Sequence, residues 1–256
     1  MNLKSLRLPL AVGLLLAAAL AVAKDVTPSA DAILKEMSST LAGARQWSFK
    51  GTREIGAQAA RKHDMQSKSG IELIVARAEK VAGVSTDAAG TRKLFFDGQQ
   101  FTLVDGIANT YATVPLKATL DELPAQLAAT YGLLPPLADF IVSDPYTDIK
   151  RRTKSVSYLG TGKAGSPAVK SHHLKLAGTL ADAELSIGVE DHLPRKMTAK
   201  VKAGADKGTT VAIEFTEWNL AAPVTDATFV YAPGNDVQKI PMITRADMEA
   251  ATKGKQ

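Results

Sequence analysis

Most of the chain alternates between apolar and polar residues with a period of two, and this pattern restricts the fold more than any other feature. The alternating segments are short and end at glycine, asparagine or proline, which is typical of strands joined by tight turns. Such a succession predicts an antiparallel sheet with one buried face and one face in water. We expect about eleven strands, at 46–53, 71–76, 94–97, 101–104, 111–114, 156–159, 172–176, 185–189, 197–201, 211–215 and 229–231.

The turns in the first half of the sheet have a recognisable sequence. Asp97-Gly98 and Asp105-Gly106 each follow one alternating segment and precede the next. The pair Asp-Gly is favoured in tight β-hairpin turns, because glycine reaches the positive φ angles that these turns require. This part of the chain therefore predicts consecutive hairpins.

Few segments have helical periodicity, and one lies at the start of the mature chain. Thr27 would cap a helix with Pro28 at its first position, a common start signal. The apolar residues that follow share one helical face. They are Ile33, Leu34, Met37 and Leu41.

A second helical region is predicted as an insertion between two groups of strands. A helix capped by Asp121 would hold Pro124 in its tolerant first turn, and Gly132 would end it. A short third helix is predicted over 137–143, stopped by Pro145. These helices and the N-terminal one are natural covers for the concave side of a strongly curved sheet.

The first 23 residues have the composition of a secretory signal peptide. Lys4 and Arg7 precede an apolar run at 8–23 that ends in Ala-Val-Ala, the pattern of an A-x-A cleavage site. The run is short for a membrane span, which needs about 20 apolar residues, although an uncleaved anchor is the alternative. We therefore expect cleavage and a periplasmic location, without a stable transmembrane segment in the mature protein.

The mature chain is predicted to be a single domain over 24–243, followed by a basic tail over 244–256 that forms at most a frayed helix. Removal of the signal peptide takes away two basic residues and no acid, so the net charge falls from +5 to +3. Basic residues cluster at 150–154 and 195–202 without stacking aromatics between them. Because the second cluster alternates with apolar residues, it indicates the solvated face of a strand, and no nucleic-acid partner is expected.

The sequence contains no cysteine and four histidines. The absence of cysteine excludes thiol catalysis, disulfides, cysteine-ligated metals and acylation of an N-terminal cysteine. His172 and His173 are adjacent, so on a strand they point to opposite faces and cannot share one ion; His172 is predicted to be an interior imidazole. Asp191-His192 is predicted to be a turn, and hydrolysis by Asp191 or His172 is the least favoured function. We expect no catalytic residues, no metal and no cofactor.

Several short stretches, in order over residues 30 to 240, carry a resemblance to a known family. They are FFDGQQFTL (95–103), NTYA (109–112), YG (131–132), PPLAD (135–139), SDPY (143–146), SHHL (171–174), LPRKM (193–197) and EWNL (217–220). The chain resembles the uncharacterised predicted periplasmic proteins of the LolA/LolB-like superfamily. It departs from them after the last predicted strand, where Ala232-Pro233-Gly234-Asn235 and a lysine-rich tail replace a more apolar ending.

The resemblance implies a half-open barrel whose apolar concave side is closed by helices. We therefore predict a mainly β (α+β) fold, in which a strongly curved antiparallel sheet forms an unclosed barrel covered by the N-terminal helix and the helical insertion. Relatives of this architecture carry acyl chains or sense lipoproteins, which implies binding of a lipid, an acyl chain or another apolar ligand.

An apolar cavity on the concave face would be built from aromatic and aliphatic residues with few polar groups. The candidate ligand-binding residues are Trp47, Phe49, Phe101, Leu103, Tyr111, Leu123, Leu127, Tyr131, Phe140 and Trp218. The alternative is that these residues fill a solid core, and that the protein contacts an envelope protein through its sheet.

Overall fold

The computed structural model describes residues 28–62, 65–133, 137–204 and 206–253. The signal peptide, its cleavage site, Thr27, His63 and the two prolines at 135–136 lie outside the described residues, so the predictions that concern them stay predictions. Among the helices of the described ranges, none combines the length and the apolar composition needed to cross a membrane.

The described residues form twelve strands and six α-helices. The strands are β1 (Gln46–Ile55), β2 (Lys68–Ala76), β3 (Lys80–Asp87), β4 (Gly90–Phe96), β5 (Gln100–Asp105), β6 (Thr110–Pro115), β7 (Thr153–Ala164), β8 (Val169–Gly178), β9 (Ala181–Gly188), β10 (Pro194–Val201), β11 (Thr210–Asn219) and β12 (Gln238–Lys239). The helices are α1 (Ala30–Gly43), α2 (Ala57–Lys62), α3 (Leu123–Tyr131), α4 (Ala138–Ile141), α5 (Pro145–Arg152) and α6 (Arg245–Lys253), with a 3₁₀ helix at Asp226–Phe229.

All twelve strands belong to one sheet in the order β12-β6-β5-β4-β3-β2-β1-β11-β10-β9-β8-β7. Strands β1 to β6 form one meander and β7 to β11 form another, and the two join where β1 pairs with β11. Neighbouring strands are antiparallel except β12, which is parallel to β6. The sheet curves but does not close, and the helices α3 to α5 connect the two meanders. The predicted fold class is confirmed.

Aspartates at the ends of three strands explain why the first meander turns where it does. The carboxylates of Asp87, Asp97 and Asp105 each accept hydrogen bonds from two backbone N–H groups two and three residues ahead, at 2.7 to 3.3 Å. Such bonds let a short polar side chain stand in for a turn of backbone. The predicted hairpins after Asp97 and Asp105 are confirmed.

The structure corrects three parts of the strand prediction, one of which is the short strand β12, which was missed. Strand β3 was missed because it contains Gly83, which interrupts the alternation; a Cβ there would lie 3.1 to 3.2 Å from the side chains of Leu73 and Leu94. The predicted strand at 229–231 is wrong. Thr225 and Thr228 cap each other reciprocally and start the 3₁₀ helix instead, which buries Phe229.

The N-terminal helix α1 has the predicted apolar face. Its cap is Ser29, whose hydroxyl accepts from the N–H of Ala32, so the predicted start lies two residues too early. The four predicted core residues Ile33, Leu34, Met37 and Leu41 have no exposed surface.

The helical insertion differs from its prediction at its caps. Helix α3 ends at Gly132 as predicted, with φ 68°, but Asp121 does not cap it. The Asp121 carboxylate accepts from the backbone N–H and the hydroxyl of Ser143, at 2.6 and 2.7 Å, and so joins the two ends of the insertion. Pro145 does not stop a helix, because it occupies the first turn of α5, whose cap is Asp144.

Helix α5 is held to α1 by a polar cluster around Asp31. The Asp31 carboxylate accepts from the Tyr146 hydroxyl at 2.7 Å and from Lys150 at 3.0 Å, and the Ser38 hydroxyl accepts from the backbone N–H of Tyr146. The hydrogen bonds from Tyr146 and Lys150 lower the pKa of Asp31 to about 2.

Helix α4 is held to the sheet by one arginine. Arg77, in the turn between β2 and β3, donates to the carbonyls of Ile141 and Val142 at 2.9 and 2.7 Å, and to those of Leu41 and Phe140 at 3.3 and 3.5 Å. Burial lowers the pKa of this guanidinium, although Asp121 opposes the effect. A single side chain therefore satisfies carbonyls at the C-terminal ends of both α1 and α4.

We expect Arg77→Met to lower the free energy of unfolding by about 2 to 3 kcal/mol, because it leaves partly buried carbonyls without donors. Arg77→Lys should restore only part of the loss, since an ammonium cannot reach several carbonyls as a planar guanidinium does. Urea unfolding followed by circular dichroism measures both. The exposed Arg45 offers a control, for which Arg45→Met should change stability by less than about 0.5 kcal/mol. Equal losses for Arg77→Met and Arg45→Met would contradict the assignment.

Candidate ligand cavities

The centre of the concave face is a packed aromatic cluster. Phe49 lies 4.9 Å from Phe215 and 5.2 Å from Trp218 between ring centroids, and Trp47 lies 5.6 Å from Trp218. Trp47, Phe49 and Phe215 are each at most 2% exposed. The Trp218 indole donates to the carbonyl of Pro194 at 2.8 Å, which fixes its ring. Trp47, Phe49 and Trp218, which were predicted to line a cavity, are therefore packed against one another in the core.

Nine of the ten candidate residues belong to the core of the concave face or pack against it. Those in the buried cluster are Trp47, Phe49, Phe101, Leu123, Leu127 and Phe140, and those partly buried against it are Leu103, Tyr131 and Trp218. Because Leu123 and Leu127 are at most 1% exposed, the space beneath α3 is occupied by packed side chains.

Tyr111 is the exception, because the structure places it on the other face of the sheet. It pairs with Val104, whereas the neighbouring concave-face residue Leu103 pairs with Ala112. The Tyr111 ring packs at 5.4 Å against Tyr231, which also stacks on Phe95. Since alternate residues of a strand point to opposite faces, Tyr111 is excluded from the concave side.

A cavity of about 580 Å³ lies between α4, α5 and the strands β8 to β10; we call it the C-terminal cavity. Its apolar wall is made by Phe140, Ile149, Leu176, Leu180, Leu185 and Met197 and by three alanines, Ala181, Ala183 and Ala199. Ala183 and Ala199 are cross-strand partners. Two methyl groups there leave open the volume that larger side chains fill at the centre of the sheet.

The mouth of the C-terminal cavity is polar. Arg151, Arg152 and Asp139 border it, and Leu180 is 69% exposed there. Arg152 lies 2.9 Å from Asp139 and 2.6 Å from Asp148, and Arg151 also pairs with Asp148. Burial raises the pKa of Asp139, against the attraction of the two arginines. Within the basic cluster predicted at 150–154, Arg151 and Arg152 are thus paired with acids of the same insertion, and Lys150 pairs with Asp31 of α1.

A second cavity of about 230 Å³ lies on the first meander and is lined by residues of β1 to β5; we call it the N-terminal cavity. Its apolar wall includes Phe49, Ile71, Leu73, Leu94, Leu103 and Leu137. Arg53, Glu72, Arg92 and Lys93 also border it, so charged side chains flank a largely apolar space.

Three of the ten candidate residues border these cavities: Phe140 the C-terminal one, and Phe49 and Leu103 the N-terminal one. The sequence reasoning missed Ala183, Ala199 and Arg53. The signal for the alanines was present in the alternation of β9 and β10, which puts small residues at concave-face positions. The signal for Arg53 was a charged residue in phase with Trp47 and Phe49 on one strand.

The adjacent histidines His172 and His173 each contact a hydroxyl group of a neighbouring strand. His172 is 8% exposed and its Nδ1 lies 3.2 Å from the Tyr158 hydroxyl, which confirms the predicted interior imidazole; burial lowers its pKa. His173 is on the other face and its Nδ1 contacts the Ser186 hydroxyl at 2.9 Å. No carboxylate of the described residues forms an ion pair with His173, so this pair lacks the third group of a hydrolase triad.

Asp191 accepts from the N–H of Leu193 within the predicted turn and pairs with Arg195. Its carboxylate therefore has turn-forming and ion-pairing partners. The described residues contain no group of three or more side chains suited to holding a metal ion.

The described residues form an open, curved antiparallel sheet with its concave face covered by helices, which is the half-barrel architecture that the resemblance implied. The chain belongs to a family described as predicted periplasmic protein (DUF2092), whose model matches residues 30–243. The family of predicted periplasmic proteins recognised from the sequence is confirmed, and the periplasmic location predicted from the first residues agrees with the family's description.

Solved structures with a similar fold include an uncharacterized conserved protein from Thermus thermophilus, with a TM-score of 0.50 and 11% identity over 83% of this chain and 98% of that one. MucB, also solved in complex with MucA from Pseudomonas aeruginosa, has a TM-score of 0.47 and 16% identity over 82% of this chain and 64% of that one. A LolA superfamily protein from Nitrosomonas europaea has a TM-score of 0.38 and 11% identity over 80% and 99% of the two chains. Among curated proteins, no sequence matches this chain.

Two carboxylates of the cover should give stability changes of opposite sign with pH. The folded state raises the pKa of Asp139, so ionisation of Asp139 destabilises the fold as pH rises above the ordinary aspartate pKa of 3.8. We expect Asp139→Asn to be more stable than the wild type at pH 7, with the difference disappearing towards pH 3. Thermal unfolding between pH 3 and pH 7 measures it.

Asp31→Asn is the matched control, because the fold lowers the pKa of Asp31 from 3.8 to about 2. Its stabilising effect is complete above pH 3.8 and is lost as pH falls towards 2. Asp31→Asn should therefore be less stable than the wild type at pH 7, with the loss shrinking in acid. If both variants were more stable than the wild type at pH 7, or both less stable, the pKa shifts assigned to Asp139 and Asp31 would be contradicted.

Proposed function

We propose that this protein is a non-enzymatic periplasmic binding or carrier protein for a lipid, an acyl chain or a similar apolar ligand held on the concave face. The observation that supports this most is the C-terminal cavity, about 580 Å³ of largely apolar space that is open beneath α5. Its volume is within the range of about 300 to 1,000 Å³ that is usual for small-molecule sites.

The chemistry of the wall fits a ligand that is bound by burial. An acyl chain gains about 0.8 kcal/mol for each methylene removed from water and needs no particular hydrogen bond. The side chains of Leu176, Leu185 and Met197 offer such contacts without competing polar groups. The charged residues lie on α4 and α5, so a polar head group would remain at the mouth.

The cover gives a route for entry and release. Helix α5 forms one wall of the C-terminal cavity through Ile149 and is held to α1 by the polar contacts of Asp31 and Ser38. These contacts are hydrogen bonds near the surface, which break at lower cost than the packed core under α3. The ligand is taken up and released by movement of α5.

A larger side chain in the C-terminal cavity should weaken the binding of an apolar ligand. We expect Ala199→Phe to weaken binding of the neutral probe N-phenyl-1-naphthylamine at least about tenfold, which corresponds to about 1.4 kcal/mol, because the ring would occupy the space opened by Ala183 and Ala199. Fluorescence titration measures the affinity. Thr198→Leu is the control, since Thr198 is the next residue of β10 and lies on the opposite face, and its affinity should be unchanged.

Native mass spectrometry of the protein purified from periplasm provides an independent measurement. The wild type should carry an extractable lipid-like mass that Ala199→Phe lacks. A wild type that carries no such mass and also binds no apolar probe would refute the carrier proposal.

A second candidate is a protein-interaction module, and it is favoured by the filled centre of the concave face and by the exposed edge strand β7. Strand β7 pairs with β8 on one side, and Leu159 is 52% exposed on it. Two irregularities in the pairing of β7 with β8 make strand addition to this edge less favourable.

Crosslinking in intact cells distinguishes the two candidates. A single dominant protein adduct that persists in Ala199→Phe but is lost on charge reversal of the exposed Lys196 and Lys200 would favour the interaction module. Loss of lipid without loss of any protein adduct in Ala199→Phe would favour the carrier.

A further inference from the structure

The N-terminal cavity contains an arginine whose surroundings are unusual. Arg53 is on the concave face of β1, between its cross-strand partners Ser69 and Ile213. Both partners are buried, at 2% and 1% exposure. The guanidinium is therefore held in a recess whose neighbours are shielded from water.

No described residue forms a hydrogen bond or an ion pair with Arg53, and its Nε is buried without a partner. The hydroxyl of Ser69 is also buried and unpartnered. A guanidinium carries five N–H donors and no acceptor, so burial without an acceptor is unfavourable. Burial lowers the pKa of Arg53 accordingly.

The nearby carboxylates have other partners. Asp87 accepts two backbone N–H groups in its turn and lies 3.6 Å from Arg92, and Asp105 lies 3.5 Å from the same arginine and also accepts two backbone N–H groups. Both acids are thus ion-paired with Arg92, and Asp87 attracts Arg53 without forming an ion pair with it. Glu72 and Lys93 also border the cavity; their charges are opposite, so together they add no net charge to it. Of the two guanidinium groups at this cavity, that of Arg53 is the one that needs an anion.

Away from Arg53, the cavity wall is mainly aliphatic and aromatic. Leu73, Leu94 and Leu103 lie in one row across the sheet, in which Gly83 of β3 separates Leu73 from Leu94. Phe49 and Ile71 also line this part of the wall. A ligand that matches both parts has an anionic group at one end and an apolar chain behind it. A planar carboxylate fits the fork of a guanidinium through two parallel hydrogen bonds.

We propose that the N-terminal cavity binds an aliphatic monocarboxylate, with its carboxylate on Arg53 and its chain along the apolar strands of the first meander. The volume of about 230 Å³ is below the usual range for drug-sized ligands, which favours a medium-length chain. This inference deepens the proposed function by naming a ligand class, but it concerns a different cavity.

Decanoate and 1-decanol are the probes that test it, because they share one chain and differ in charge at neutral pH. Isothermal titration calorimetry on the mature protein should show decanoate binding about tenfold or more tightly than decanol, as is usual for a charge-assisted pair of hydrogen bonds. Arg53→Met should reduce this preference to about one, and Arg53→Lys should keep part of it. Acetate should bind at least about tenfold more weakly than decanoate, since it lacks the chain.

Arg61→Met is the matched control, because Arg61 is an exposed cation on α2 and borders neither cavity. It should keep the preference for decanoate. Arg53→Met should fold with a melting temperature equal to or above that of the wild type, since it removes an unpaired, partly buried charge. A clearly lower melting temperature would show that Arg53 has stabilising contacts and would overturn the premise.

Equal affinities for decanoate and decanol in the wild type, or a preference that survives in Arg53→Met, would overturn the proposal. So would the absence of decanoate binding. Binding of N-phenyl-1-naphthylamine, measured in parallel, separates the two ideas: if the neutral probe binds and the carboxylate is not preferred, the carrier function stands and the role of Arg53 is wrong.

Discussion

The concave face of an open sheet must be kept from water, and the cover that does this determines how the rest of the molecule is arranged. The face has more apolar surface than one helix can bury, so α1, α3, α4 and α5 share the task. Arg77 connects two of them to the sheet through backbone carbonyls, and Asp31 connects α5 to α1. Without such polar connections, short helices have little intrinsic stability of their own.

The cover is packed tightly in some places and loosely in others, and side-chain size decides which. At the centre, Phe140 of α4 packs on Phe215 of the sheet with ring centroids 6.0 Å apart, and Leu123 and Leu127 of α3 are fully buried. Under α5 the sheet presents Ala183 and Ala199, and the C-terminal cavity remains. A cavity lined by apolar groups reduces stability, because its wall lacks contacts that a filled core would have. A fold that retains such a space next to a well-packed centre is consistent with a site kept open for a ligand.

The sequence could predict the sheet, because alternation and Asp-Gly turns are local signals. It could not place every residue on the correct face: Tyr111 is preceded and followed by small or polar residues, so its strand has no clear apolar side, and a shift of one residue reverses the face. The cap of α3 was wrong because Asp121 makes a contact with Ser143, which is distant in sequence. The cavities were beyond sequence reasoning for a similar reason, since the facing alanines belong to different strands and their effect depends on the pairing register.

Two arginines of this fold show how structural and functional charges can be told apart. Arg77 and Arg53 are both partly buried, and burial lowers the pKa of each. Arg77 donates to four carbonyls, so its burial is compensated within the fold. The Nε of each arginine is buried without a partner, but Arg53 donates to no acceptor among the described residues and is only attracted by Asp87, beside a largely apolar cavity. Because a buried guanidinium nitrogen without an acceptor is unfavourable, the position of Arg53 beside an apolar cavity is the observation on which the proposed carboxylate site rests.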